Sequence, residues 1–389
     1  MEMKMTKRKI ETMLPINADR ILPPAVLAQL AQAIKGSGVV DYFHIWDQMM
    51  GWWPPGMWNP QNAPLAAMVP DLDATGDPAA LAAYASASAP GMGLTISTDA
   101  IRRGPAEMMQ TMMTLANMSE GRAILQIGAG ELKQTAPFGW KRNEGLRRIE
   151  DHFRFYDEFW KSNSPVTMTG HFWNFDQAWI GAARQHRPRV WALGGGPKLV
   201  EMAARYADGF ATSVPGVLSS PAGFAEFVRR VRGQVAANGR DPDMFDFCPW
   251  VLMLVHDDPK VIDRALENPL MRWLTAIFGR LNNNDWAAYG IEPAFDPDWH
   301  YSTKLIPNRF TDKQEVNRII NRVTDRMCEL AFLRGNAAEV AEQVQAYVDA
   351  GANVIDVLDV LPLVLDPADA QAGLGRQLDV CARIKQRNA

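Results

Sequence analysis

The chain has 389 residues, 47% of them hydrophobic and 22% charged, which is ordinary for a folded protein and excludes global disorder. Forty Lys and Arg against 44 Asp and Glu leave a net charge of −4, with no basic surplus of the kind that nucleic-acid or anionic-membrane binders carry. The length allows two or three domains at ~150 residues each, but one eight-fold α/β barrel with insertions fits it equally.

At the N-terminus the basic run Lys4–Lys9 has no apolar segment behind it and reads as a solvated tail, not a secretory leader. No window reaches the ~18 apolar residues of a membrane span, so the cytoplasm is the default compartment. Three widely spaced cysteines, Cys248, Cys328 and Cys381, suit a reducing compartment and offer no disulfide framework. Short apolar runs then follow at 10–16, 39–46, 93–97, 123–128, 190–193, 209–212, 247–255 and 354–358, each with strand character. Between them helical patterns cover 24–33, 78–87, 105–118, 147–161, 198–207, 222–238, 259–278, 314–333 and 337–350. Met108, Met109, Met112 and Met113 stand at i, i+3, i+4 spacing on the third of these and are read as core. Strand–helix alternation repeated eight times predicts a closed parallel (β/α)8 TIM barrel in a single domain spanning 1–389, with an open doubly wound sheet as the alternative.

Three stretches interrupt the alternation: 48–77, rich in Pro, Trp and Met; 162–187, read as a hairpin turning at Gly170; and 281–313, polar and rich in Pro and Asn. Loops this long in a compact domain usually carry function, and the first of them follows a strand, which places it on the catalytic face of a barrel. Four of the 13 Trp (Trp46, Trp52, Trp53, Trp58) fall within 13 residues at the end of the second strand, with Met49 among them, so Trp46, Trp52, Trp53 and Met49 are candidates for an apolar substrate pocket.

No serine or cysteine stands in a nucleophile elbow, no histidines pair at metal-ligand spacing, and neither G-x-G-x-x-G nor a P-loop occurs. Two glycine clusters sit at strand ends. Gly128-Ala129-Gly130-Glu131 lets a ligand approach the backbone and delivers a carboxylate to the mouth. A tight turn with a solvated Glu131 reads as well from this stretch alone. Gly194-Gly195-Gly196-Pro197 opens a helix, and its free N–H groups make an anion cradle suited to a cofactor phosphate. A plain strand–helix turn is the alternative there. A barrel brings both clusters to one face, together with Trp46-Asp47-Gln48 and Thr98-Asp99.

These blocks resemble the luciferase-like (bacterial luciferase type) superfamily of flavin- and deazaflavin-dependent oxidoreductases. The likeness is carried by Trp46-Asp47-Gln48, by 98–105 with its Met-rich helix, by 121–131 continuing to Pro137-Phe138-Gly139, and by 195–210. Within the superfamily the chain is similar to the coenzyme F420 branch, nearest to phthiodiolone ketoreductase-type enzymes, which 289–293 and 306–314 also resemble. The resemblance implies an eight-stranded barrel, assembly as a homodimer, and F420 (alternatively FMN) as cofactor. It implies contacts to the deazaflavin from Asp47, Thr98, Ala129, Gly130, Gln134, Gly195, Gly196, Lys198 and Leu199. It also implies a strained non-prolyl cis peptide behind the ring, for which Thr95–Ile96 is the candidate.

Two departures bear on chemistry. The branch usually carries Asp-His at the end of the second strand, and here Gln48 follows Asp47; an amide can orient a carbonyl but exchanges no proton near neutral pH. His44 lies ~13 Å back along the strand and is read as a packed core histidine. The basic residues that hold a phosphosugar in the glucose-6-phosphate enzymes have no counterpart in Ser213–Gly216. The expectation is therefore hydride transfer between a deazaflavin and a small hydrophobic ketone, alcohol or conjugated C=C. Glu131 would handle the proton with its pKa raised by an apolar mouth, Gln48 would orient the substrate and Asp47 would support them. The alternatives are an FMN-dependent monooxygenase of the same superfamily and a non-catalytic deazaflavin-binding protein.

Overall fold

The computed structural model describes residues 8–17 and 20–389. Most of the basic run Lys4–Lys9 therefore lies outside the described residues, but Arg8 is held, its guanidinium 2.9 Å from Asp246.

Eight parallel strands close into a barrel: β1 (Glu11–Pro15), β2 (Tyr42–Trp46), β3 (Gly93–Asp99), β4 (Ala123–Gly128), β5 (Arg189–Leu193), β6 (Gly209–Val214), β7 (Asp246–Val255) and β8 (Val354–Asp359). Pairing runs β1 to β7 in sequence, and β8 joins β7 back to β1. Each strand has two buried faces, one toward the helices and one toward the barrel interior, so the strands are near-continuous apolar runs, as in the fully buried β3 and β4. Helices open on Pro at their first turn, where the missing N–H costs nothing, as at Pro24, Pro78 and Pro105. The Met108–Met113 stripe is buried against the sheet as its spacing requires.

The expected hairpin is antiparallel, Val166–Thr169 with Asn174–Ala178. The third interruption is larger than 281–313. The pattern over 259–278 is two helices, Pro259–Glu267 and Pro269–Phe278, because Pro269 cannot continue the first; Asn268 ends one and caps the other by accepting from Leu270 N at 2.8 Å. The pattern over 314–333 also divides, into Lys313–Arg322 and Asp325–Ala331, where Thr324 caps the second helix. Leu333–Gly335 is a short strand on β7, and a last helix, Pro367–Arg387, lies beyond the helical patterns of the sequence, which stop at 350.

This insertion builds a second apolar core around Trp273, Trp286, Phe295 and Trp299, and the first excursion packs into it through Trp53 and Met57. Trp53 is buried with its indole N–H on Leu270 O at 3.2 Å, so it is core material joining the two excursions and not a free pocket wall. Among the described residues no helix is long and apolar enough to cross a membrane, and no cluster of His, Cys, Asp and Glu could hold a metal.

Candidate active site

The C-terminal ends of the strands bring Asp47, Thr98 and Glu131 to one face of the barrel, with Gly195 and Gly196 after β5. Asp47 is buried and accepts on every side. Thr98 Oγ1 donates to its Oδ2 at 2.6 Å, Arg102 Nη1 to Oδ1 at 3.1 Å and Arg103 Nε to Oδ2 at 3.1 Å. Arg102 also binds the Asp47 carbonyl at 2.6 Å and Asp99 at 2.5 Å. A carboxylate with that many donors fixes the β2 and β3 ends together. The side-chain amide of Gln48 has no protein partner among the described residues, while its backbone carbonyl accepts from Thr75 Oγ1 at 2.6 Å.

Glu131 follows Gly130, whose φ of +88° makes the turn out of β4; a Cβ at Gly130 would stand 2.8 Å from Ile101 Cδ1. The Glu131 carboxylate is about one-third exposed and meets two groups at the same oxygen: Lys133 Nζ at 3.2 Å and the Tyr301 hydroxyl, which donates at 3.2 Å. Its surroundings are thus an ammonium and a phenol, not the apolar lining expected. Lys133 is buried and also donates to Met50 O at 2.9 Å; burial pushes its ammonium below the usual lysine range, and Glu131 opposes the shift. Tyr301 comes from the third interruption, 170 residues away, and burial pushes its phenol well up, with Glu131 adding to the shift.

From Tyr301 a run of rings crosses the mouth. Its centroid lies 4.7 Å from Phe278, Phe278 lies 5.5 Å from Trp52, and Trp52 lies 5.5 Å from Trp46. Trp46 stacks on Trp250 at 6.4 Å, and Lys133 Nζ sits 5.6 Å over Trp52. Trp46 and Trp52 therefore join the site. Met49 reaches it through its backbone, because Gln134 Oε1 accepts from Met49 N at 2.8 Å while Gln134 Nε2 donates to Met50 O at 2.9 Å. The buried Gln134 amide thus ties down the first excursion. Beneath Trp46, His44 is buried as expected but has a partner the sequence did not reveal: its Nδ1 lies 2.7 Å from Asp356 Oδ2. Burial raises the Asp356 carboxyl and His44 opposes it.

The Thr95–Ile96 peptide is a correction. The one cis bond among the described residues is Val214–Pro215, and β3 keeps unbroken register with β4 from Leu94 to Asp99, leaving no bulge there. Thr95 is buried with an unpartnered Oγ1, and Ile96 packs in the core outside the barrel.

At the glycine cluster a Cβ on Gly195 would meet Val217 Cγ1 at 2.5 Å, whereas at Gly196 nothing lies within 4 Å. Gly196 caps the helix Pro197–Tyr206 without a side-chain bond, and the first turn carries no acid. Among the described residues the N–H groups of Lys198 and Leu199 have no partner, and residues 195–198 beside them are exposed, which fits a phosphate; the Leu199 side chain itself is buried. Gly196→Ala would place a methyl in that space. It is expected to weaken binding of a phosphate-bearing cofactor while leaving thermal stability unchanged, as fluorescence titration and a melt on the same preparation would show.

With this geometry in place, comparison identifies the class. Residues 57–353 match the family model of luciferase-like monooxygenases, and the chain belongs to that family. Among its relatives, phthiodiolone/phenolphthiodiolone dimycocerosates ketoreductase of Mycobacterium kansasii is 26% identical over 345 residues, covering 86% of this chain and 91% of the relative. An F420-dependent glucose-6-phosphate dehydrogenase of Kineococcus radiotolerans is 25% identical over 265 residues, covering 67% of this chain and 69% of the relative. The barrel superimposes on an F420-dependent secondary alcohol dehydrogenase solved with an F420–acetone adduct, at a TM-score of 0.70 and 18% identity, covering 97% of this chain and 99% of that one.

Proposed function

We propose that this protein is a coenzyme F420-dependent oxidoreductase acting on an apolar ketone or the corresponding alcohol, or on a conjugated C=C. The observation that carries the proposal is the Glu131 carboxylate, held by Lys133 and Tyr301 at the end of an aromatic arc and on the same barrel face as the glycine cradle. The relatives named above support the cofactor and the ketone–alcohol chemistry.

Gly195, Gly196, Lys198 and Leu199 would hold the cofactor phosphate through backbone N–H groups. Bound there, the deazaflavin would supply or accept the hydride. The chain's own part is to orient and to move a proton. Trp46 and Trp52 wall the substrate and exclude water, which strengthens every polar contact inside. The unpartnered Gln48 amide donates to the substrate oxygen and orients the carbonyl. Glu131 gives the proton to that oxygen in reduction and takes it in oxidation. Lys133, whose ammonium is already pushed down by burial, stands at hydrogen-bond range to replace it, and the Tyr301 hydroxyl holds the carboxylate in place.

The cradle suits the phosphate of FMN as well, and Gln48 is also what a binding protein that had lost proton transfer would carry. Anaerobic assays of the purified chain with reduced F420 and a series of aliphatic and aromatic ketones, run beside reduced FMN with oxygen, test the reading. Ketone-dependent oxidation of F420 is expected; oxygen consumption with FMN alone, or tight F420 binding without turnover on any ketone, enone or alcohol, would replace it.

A further inference from the structure

Beside the mouth, the segment from the end of the turn Leu132–Thr135 through the first turn of the helix Gly145–Lys161 has an uncommon surface. Eleven large apolar side chains are exposed among the described residues, and three of them, Phe138, Trp140 and Leu146, fall within nine residues there. The Phe138 and Trp140 rings lie 6.3 Å apart. Residues 136–148 also hold four basic side chains, Lys141, Arg142, Arg147 and Arg148, against one acid, Glu144. That is a local excess of three positive charges on a chain whose net charge of −4 conceals it. Arg148 is engaged by Glu144 at 2.8 Å, and Arg142 is half-buried. Lys141 and Arg147 are exposed and have no ion pair among the described residues.

The segment is the rim of the site. It leaves directly from the turn that carries Lys133 and Gln134. At its other end Gly145 is pressed against the β4 exit so closely that a Cβ would stand 1.8 Å from the Ala129 carbonyl oxygen.

We propose that this rim docks the protein on an anionic phospholipid surface. Trp140 enters the headgroup layer, where amphipathic rings are favoured, Phe138 buries its apolar ring beside it, and Lys141 and Arg147 meet lipid phosphates. An apolar substrate then passes from lipid into the aromatic mouth without crossing water; that consequence rests on the function proposed above. The exposed parts of the three apolar side chains amount to roughly 250 Å². That is far below the ~800 Å² per partner of a stable protein interface, yet enough for reversible attachment when basic residues assist.

The test uses the full-length chain without cofactor, sedimented with vesicles of phosphatidylcholine alone and of phosphatidylcholine mixed with phosphatidylglycerol. Binding to the mixed vesicles, weakening as salt rises, is expected. Lys141→Gln combined with Arg147→Gln should weaken it roughly 30-fold, and Phe138→Ser combined with Trp140→Ser should lower it further, with F420 affinity unchanged in both. Because the readout needs neither cofactor nor turnover, its failure is separate from failure of the F420 reading. No binding to the mixed vesicles, or binding that neither double variant moves, overturns the proposal. So does a dimeric parent that becomes monomeric on Phe138→Ser/Trp140→Ser, which would assign the rim to self-association.

Discussion

Glu131→Gln is expected to lower kcat by about 10²-fold or more while F420 binding stays at the parental level. Glutamine keeps the shape of the side chain and can still accept from the Tyr301 hydroxyl, so the mouth should not collapse. It cannot release or take up a proton near neutral pH, which is the step assigned to Glu131. It also removes the counter-charge 3.2 Å from the buried Lys133 Nζ, leaving that ammonium with the Met50 carbonyl. Steady-state turnover on a ketone and cofactor titration of the same preparation separate the two roles. Lost turnover with retained binding supports proton handling, whereas parental turnover would remove Glu131 from the chemistry. Tyr301→Phe should act in the same direction and more weakly, because Lys133 remains.

The second large effect is on stability. Asp47→Ala removes a carboxylate that is 4% exposed and takes three side-chain donors, Thr98, Arg102 and Arg103. Arg102, 5% exposed, keeps Asp99, and Arg103 keeps Asp77 at 2.7 Å, so neither is left wholly unpaired. Breaking one partner of a buried pair costs 3–5 kcal/mol in general, and the retained partners place this case near ~3 kcal/mol. For a chain of this size that lowers the thermal midpoint by about 4 °C. Asp47→Asn, which keeps one acceptor, should lose less. An Asp47→Ala protein that melts like the parent would show that the arginines are held by Asp99 and Asp77 alone.

The barrel was legible because its strands are buried on both faces and so read as short apolar runs punctuated by Gly and Pro. The division at Pro269 was equally available, since Asn268-Pro269 is a cap followed by a first-turn proline; the apolar spacing on either side of it masked the break. Thr324 hid in the same way inside a continuous amphipathic pattern. In the site, Glu131 and the glycine cradle were visible because a strand end followed by glycine has a local signature. Lys133 stands two residues from Glu131, but nothing in its local sequence distinguishes it from a helix-surface lysine, and only its burial beside Trp52 and Met50 changes its chemistry. Tyr301 had no local signal at all: it meets Glu131 because the insertion folds back over the mouth. The His44–Asp356 pair joins β2 to β8 across the barrel interior, a contact that only closure creates. Trp53 shows the converse, an aromatic that composition assigned to the pocket and that the second core absorbed.

The central claim is that the glycine cradle and the Glu131 mouth together serve a deazaflavin. Fluorescence titration of the purified chain with F420 and, separately, with FMN tests it most directly, followed by addition of aliphatic and aromatic ketones to the reduced F420 complex under anaerobic conditions. Preferential binding of F420, and oxidation of the bound cofactor only when a ketone is added, is the predicted result. Preferential FMN binding, or a reduced F420 complex that every ketone leaves unchanged, would contradict it.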